Sequence, residues 1–318
     1  HGLSQASAAY MHSFRYACER IQGSNFVRMK DPEAPKVPII EHPDVRRMLM
    51  WMKSATEGMR SLIYFVGYSE DLANTASDKA EATKHQGMVD LLIPVCKAWC
   101  SDISFRVTEM AVQIHGGYGY CREYPVEQFL RDAKITSIYE GTNGIQALDL
   151  VGRKLSLKQG ALFRSFMEQT EADLARFRKN PRLEKSSTIF DEARSKLLET
   201  TLHFARKGMS GEVAIPVLYA TPYLELFGDV AVGYMLMWQA EIADHKLQEI
   251  FQKANANTTE SQLDILKQNQ DAAFYRGKVA AADFFSNFTM SLASGKARAI
   301  INGDLSLLEI PNYCFHKV

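Results

Sequence analysis

Only ten prolines interrupt the 318 residues of this chain, and between them apolar residues recur at spacings of three and four with almost no sustained alternation. That period belongs to helices with one buried face, so the chain reads as all-α. Leu3, Tyr10, Phe14, Ala17 and Ile21 mark one face of a first helix, which Gly23 stops. Residues 27–43 hold four prolines and read as an extended loop. A second helix is expected over residues 44–76, with Leu49, Met52, Met59, Ile63, Val66 and Leu72 along its apolar side, and a third over 88–114 despite Pro94. At 1.5 Å per residue such helices reach about 40 Å or more, and elements of that length lie side by side in an up-and-down bundle.

The third helix runs into His115, Gly116, Gly117, Tyr118 and Gly119, where the glycines break it and permit positive φ. A short helix over 125–133 opens on the proline that helix starts favour. A turn over 138–146 then leads into a helix from 143 to about 155. Beyond residue 157 the texture changes to mixed-charge helical segments, at 161–178, 188–207, 231–253 and 259–294. The expected organisation is a helical bundle over residues 1–157 followed by an accessory helical domain over 158–318.

Composition removes several classes of partner. Lysine plus arginine number 37 and aspartate plus glutamate 37, so the formal charge is zero and nucleic acid has no bulk electrostatic hold. The longest charge-free runs, 213–224 and 230–240, fall well short of the ~20 apolar residues that cross a membrane. Five scattered cysteines favour free thiols in a reducing, cytoplasmic compartment. Cys96 and Cys100 share a helix face, but no clustered His or Cys completes a metal site, and buried thiols beside Trp99 and Phe105 are the simpler reading. The methionines at 48, 50, 52 and 59 read as core and interface filling, and the aromatic run at 283–288 as helix packing.

Glu140 stands between Tyr139 and Gly141. A glycine beside a carboxylate lets a ligand approach the backbone, and a glutamate partly desolvated among aromatic neighbours can act as a general base. Local sequence alone reads equally as a surface glutamate flanking a helix.

The run HGGYGYCREYPVEQFLRDAKITSIYEGTNGIQ, residues 115–146, resembles the carboxyl-terminal signature of the acyl-CoA dehydrogenase family. Gln113, Ile114, Gly116, Gly117 and Gly119, then Tyr124, Pro125, Arg131, Asp132, Ala133 and Lys134, all fall at that family's spacing. The resemblance implies that Glu140 is the catalytic base, removing the α-proton of an acyl-CoA thioester while the β-hydrogen leaves as hydride to the flavin of FAD. It implies that the thioester carbonyl is held by the glutamate's own backbone N–H and a ribityl hydroxyl, an oxyanion-hole arrangement. Gly141 would leave room for the thioester and Tyr139 would wall the acyl channel. Arg20, Gln113, Gly116 and Gly117 match positions that touch the FAD of a neighbouring subunit, Thr142 one that touches the subunit's own FAD, and His115 stands where the family often carries phenylalanine. A homodimer and an acceptor such as electron-transfer flavoprotein follow from the same resemblance.

Two departures qualify it. Gln22 replaces a phenylalanine common in short members, and a proline-bearing loop follows, which together with Gly144 looks like the long bacterial subfamily with an extra carboxyl-terminal helical domain. The family's amino-terminal helical domain and the β-domain that covers the flavin are expected upstream of residue 1. The chain therefore reads as a fragment that is inactive alone and does not retain FAD. The alternative is a helical interaction module without catalysis, against which the presence of Glu140 weighs.

Overall fold

The computed structural model describes residues 1–28 and 30–316. It is helical almost throughout, as the periodicity predicts, with one small antiparallel pair of strands. Three long helices come first: α1 (Gly2–Glu19), α2 (Pro43–Thr75) and α3 (Lys79–His115), each packed against the other two. α3 starts at Lys79 rather than 88 because the Asp78 side chain accepts the Ala80 N–H at 2.9 Å and caps it.

The face expected of α1 is only partly the buried one. Ala6, Ala9, Ser13 and Ala17 are buried, whereas Phe14 and Ile21 are exposed. α1 lies close against α3 through small side chains: a Cβ added at Gly2 would stand 2.9 Å from Ser104 Oγ. Close approach of two helices selects alanine and serine at the contact; Leu3 and Tyr10 pack at the margin of the core, and Phe14 is turned outward. The loop after α1 also carries structure, since β1 (Ile21–Ser24) pairs with β2 (Lys36–Pro38).

α4 (Val126–Lys134) and α5 (Asn143–Asp149) follow, α5 continuing into a π-helical turn at Leu150–Lys154. The second half is built from α6 (Ala161–Phe177), α7 (Glu184–Met209), α8 (Ala214–Leu218), α9 (Ala220–Lys253), α10 (Thr259–Gln268), α11 (Gln270–Phe288), α12 (Ala293–Asn302) and α13 (Ser306–Glu309). The expected helix over 259–294 is divided at Asn269, whose extended backbone and side chain, accepting the Ala272 N–H at 2.9 Å, start α11 afresh. α9 begins eleven residues before 231 because Pro222 sits in its first turn, where a missing N–H costs nothing.

α9 is buried on nearly every side, and it joins the two halves. It packs on α2 and α3 as well as on α7, α11 and α12, within one apolar cluster that runs from Ala6 to Ile300. Two glycines bring it close: Cβ atoms at Gly58 and Gly228 would stand 2.4 Å from Val232 Cγ1 and 2.0 Å from Trp99 Cδ1. The Trp99 indole also donates to Asp229 Oδ1 at 3.0 Å across that contact. Met48, Met52 and Met59 lie in the core, as does Phe285 of the aromatic run. Among the described residues no helix is long and apolar enough to cross a membrane, and no group of His, Cys, Asp and Glu could hold a metal ion.

Candidate active site

Two groups of predicted residues emerge, one at each end of α1. At its carboxyl-terminal end, Arg20, Gly116 and Gly117 line an open cleft of about 470 Å³ together with Tyr16, Ile39, His115 and Tyr118. α3 ends here because Gly116, at φ 62°, turns the chain out of the helix. Nothing lies within 4 Å of a Cβ placed on Gly116 or Gly117, so both present bare backbone to the cleft. The Arg20 guanidinium sits 5.2 Å from the Tyr118 ring centroid, which orients it without neutralising it. Gln113 is exposed one turn earlier on α3.

His115 is buried beside this cleft, its ring stacked on Tyr16 at 4.3 Å and edge-on to Tyr124 at 5.8 Å. Nδ1 lies 2.8 Å from the Ala111 carbonyl oxygen. Burial pushes its pKa below the ordinary imidazole value, against the pull of that carbonyl and with help from His12.

At the amino-terminal end of α1, Tyr139 is half-buried, its hydroxyl 2.5 Å from His1 Nδ1 and its ring parallel to the imidazole. Glu140 and Gly141 follow with φ of 55° and 80°, two successive left-handed residues. For glycine this is an ordinary state. For a glutamate it costs roughly 1–3 kcal/mol and persists only where the surroundings impose it. Glu140 is exposed, against the expectation of partial desolvation among aromatic neighbours: the adjacent ring, Tyr139, turns toward His1. Among the described residues the Glu140 N–H makes no hydrogen bond.

Thr142 is the residue before α5 and is exposed; its side chain makes no capping bond. The anchor is its neighbour. Asn143 is buried, donating to the Ala98 carbonyl at 3.1 Å and to Ser101 Oγ at 2.8 Å and accepting from Lys97 Nζ at 2.8 Å. Burial lowers the pKa of the Lys97 amine, while Asp102 and Glu140 pull it back up. Burial raises that of Asp102, against the pull of Asn143, Lys134 and Arg106. Lys97, Ser101, Asp102 and Asn143 were not singled out from sequence. A polar i, i+4 pair, Lys97 and Ser101, in the otherwise apolar run 91–101 was the available signal.

Cys96 and Cys100 play no part. Burial pushes the Cys96 thiol up to about 12 and that of Cys100 well above its ordinary value, so both stay protonated and inert.

Comparison with known proteins places the chain as a whole. Residues 8–155 match the family model described as acyl-CoA dehydrogenase, C-terminal domain, and residues 165–311 match that described as acetyl-CoA dehydrogenase C-terminal like. A butyryl-CoA dehydrogenase of Syntrophomonas wolfei is 33% identical over 308 residues, covering 97% of this chain and 47% of the relative. A 3-methylmercaptopropionyl-CoA dehydrogenase of Ruegeria pomeroyi is 35% identical over 316 residues, 96% of this chain and 48% of its own length. The chain thus spans about half the length of the curated relatives it matches. Among solved structures, ACDH-11 of Caenorhabditis elegans in complex with C11-CoA superposes with a TM-score of 0.63 at 17% identity, over 96% of this chain and 47% of that one. An acyl-CoA dehydrogenase from Bacillus anthracis complexed with FAD superposes at 0.58 with 20% identity, over 94% and 50%. These two likenesses concern the fold.

Proposed function

Because the chain belongs to the acyl-CoA dehydrogenase family, we propose that it is the base-bearing helical half of a flavin-dependent enzyme that dehydrogenates an acyl-CoA thioester to the trans-2-enoyl-CoA. The observation that carries this reading is the left-handed turn at Glu140. A strained, exposed carboxylate with a free backbone N–H beside it is a costly feature for a surface loop and a useful one for an α-proton.

An α-proton of a thioester is acidic only while the carbonyl is polarised. The unpartnered Glu140 N–H is suited to receive the developing enolate oxygen, and the carboxylate of the same residue takes the proton, so base and oxyanion donor share one rigid turn. Gly141 keeps the approach to that N–H free of a side chain. Tyr139, held at its hydroxyl by His1, forms one wall of the space where the acyl chain lies.

Arg20, Gly116 and Gly117 fit the pyrophosphate of a dinucleotide: one exposed cation stands over bare backbone that no Cβ obstructs. Gln113 borders the same surface, and Thr142 faces the Glu140 end. Bound FAD supplies the acceptor for the β-hydrogen as hydride. The two ends are separated by α1, whose 18 residues rise about 27 Å. A flavin and its own pyrophosphate are joined by a single ribityl chain and do not bridge that distance. The reading therefore assigns the Arg20 cleft to a second subunit's FAD, within a homodimer, and the Glu140 turn to the FAD of its own subunit.

Anaerobic addition of straight-chain saturated acyl-CoAs of increasing length to the complete, flavin-loaded enzyme that contains this chain tests the assignment. Bleaching of oxidised flavin with formation of the matching enoyl-CoA is expected. A flavin that stays oxidised with every chain length contradicts it.

A further inference from the structure

We propose that Lys97 and Asn143 are positioning residues for Glu140, forming a clamp on α3 that holds the left-handed turn in place. The proposal rests on the reading of Glu140 as the base. Three observations lead to it.

The first is where the loop is fixed. Upstream, Thr136 and Ser137 are buried and donate to the Ala133 and Lys134 carbonyls at 2.6 and 3.0 Å. Downstream, the first buried residue is Asn143. Between these two fixed points the Ile138 and Tyr139 N–H groups still bond the Ile135 carbonyl, so residues 140–142 choose the path, and two of the three are left-handed. The position of Asn143 therefore decides whether that conformation is kept.

The second is how completely Asn143 is held. Its amide has two N–H donors and a carbonyl acceptor, and each is used by one turn of α3: Ala98, Ser101 and Lys97. An ammonium group only donates, so Lys97 fixes which end of the amide is oxygen. The hydrogen bond from Lys97 is charge-assisted and half-buried, the strongest of the three in kind. Thr142, by contrast, makes no capping bond, so α5 is seated by Asn143 and not by its N-cap.

The third is electrostatic. Glu140, together with Asp102, favours the charged form of Lys97 against burial, so the cation that holds Asn143 is kept charged in part by the residue it serves.

Hydrogen exchange on the 318-residue chain tests the clamp without need of flavin. The reporters are the Tyr139 N–H, which donates to the Ile135 carbonyl, and the Ile145 and Gln146 N–H groups, which donate to that of Thr142. Lys97→Met and Asn143→Leu are expected to speed exchange at all three by about tenfold or more, the loss of one charge-assisted hydrogen bond. Exchange in α2 and α9 stays unchanged, and Lys97→Arg, which keeps a donor, restores the slow rate. Wild-type exchange in Lys97→Met, or equal acceleration in α2 and α9, overturns the clamp. In the complete, flavin-loaded enzyme the same two variants are expected to slow single-turnover flavin reduction by about tenfold or more while the acyl-CoA dissociation constant stays put. Unchanged reduction overturns the catalytic half of the proposal. Glu140→Gln is run beside them: full activity there refutes the base and leaves the exchange result to judge the clamp.

Discussion

Lys296→Met should unseat the joint between the two halves of the chain, and the structure sets the size of the effect. Lys296 on α12 reaches Asp229 Oδ2 at 2.6 Å and Glu225 Oε1 at 2.8 Å on α9, while Trp99 on α3 donates to the other Asp229 oxygen. Asp229 is 3% exposed, and burial already holds its carboxyl above the ordinary range, only partly offset by Lys296 and the indole. Burial also opposes the Lys296 charge, but the two carboxylates outweigh it and the amine stands raised. With the ammonium gone, the carboxylate stays buried without its counterion, or it takes up a proton. Protonation at pH 7 from an ordinary value of 3.8 costs about 4 kcal/mol at 1.36 kcal/mol per unit, which is therefore the ceiling. A loss of about 2–4 kcal/mol is expected by guanidinium unfolding at pH 7. The sign of the pH effect follows: a carboxyl whose folded pKa lies above its unfolded one binds more protons when folded. The variant's deficit must then shrink as pH falls, its ceiling dropping to about 1.6 kcal/mol at pH 5. Adding Asp229→Asn should recover most of it, since an amide oxygen still accepts from Trp99. A cost below about 1 kcal/mol at pH 7, or one that does not shrink at pH 5, refutes the reasoning.

Three further expectations concern packing, titration and assembly. Gly228→Ala places a methyl 2.0 Å from Trp99 Cδ1, and the strain should exceed the roughly 1 kcal/mol that alanine gains in a helix, giving net destabilisation; Gly208→Ala, with nothing within 4 Å, should be neutral or stabilising in the same denaturation assay. His115→Phe should flatten stability between pH 7 and 5: a buried imidazole with a lowered pKa binds fewer protons folded than unfolded, so wild-type stability falls as pH drops below about 6.5, and an unchanged slope would exclude His115 as the cause. Light scattering at micromolar concentration should report a dimer if, as proposed, the Arg20 cleft takes a second subunit's FAD, and the isologous interface would bury on the order of 2,000 Å²; a strictly monomeric mass contradicts the pairing.

The helical class could be read from spacing because a 3.6-residue period survives any detail of packing, and α2 and α4 fell within a residue or so of their expected ends. What stayed illegible depended on partners distant in sequence. Phe14 outranks Ala6 in hydrophobicity, yet α1 approaches α3 so closely that only small residues fit between them. Asn269 looks like any polar residue in a helical stretch until its side chain is seen capping α11. At the site, Glu140 and its flanking glycine were legible as a local motif, whereas Asn143 is held by residues more than forty positions earlier. The exposure of Glu140 escaped local reading for a related reason, since Tyr139 packs on His1 and not on its neighbour.

The base assignment is tested most directly by following single-turnover flavin reduction with a saturated acyl-CoA in Glu140→Gln of the complete, flavin-loaded enzyme, compared with wild type. An amide keeps the size, the turn and the backbone N–H but does not take up the α-proton. The account predicts unchanged flavin binding, unchanged acyl-CoA affinity and a rate lower by at least roughly 10²–10⁴-fold, the worth of a general base. Flavin reduction at a rate near that of wild type would contradict it.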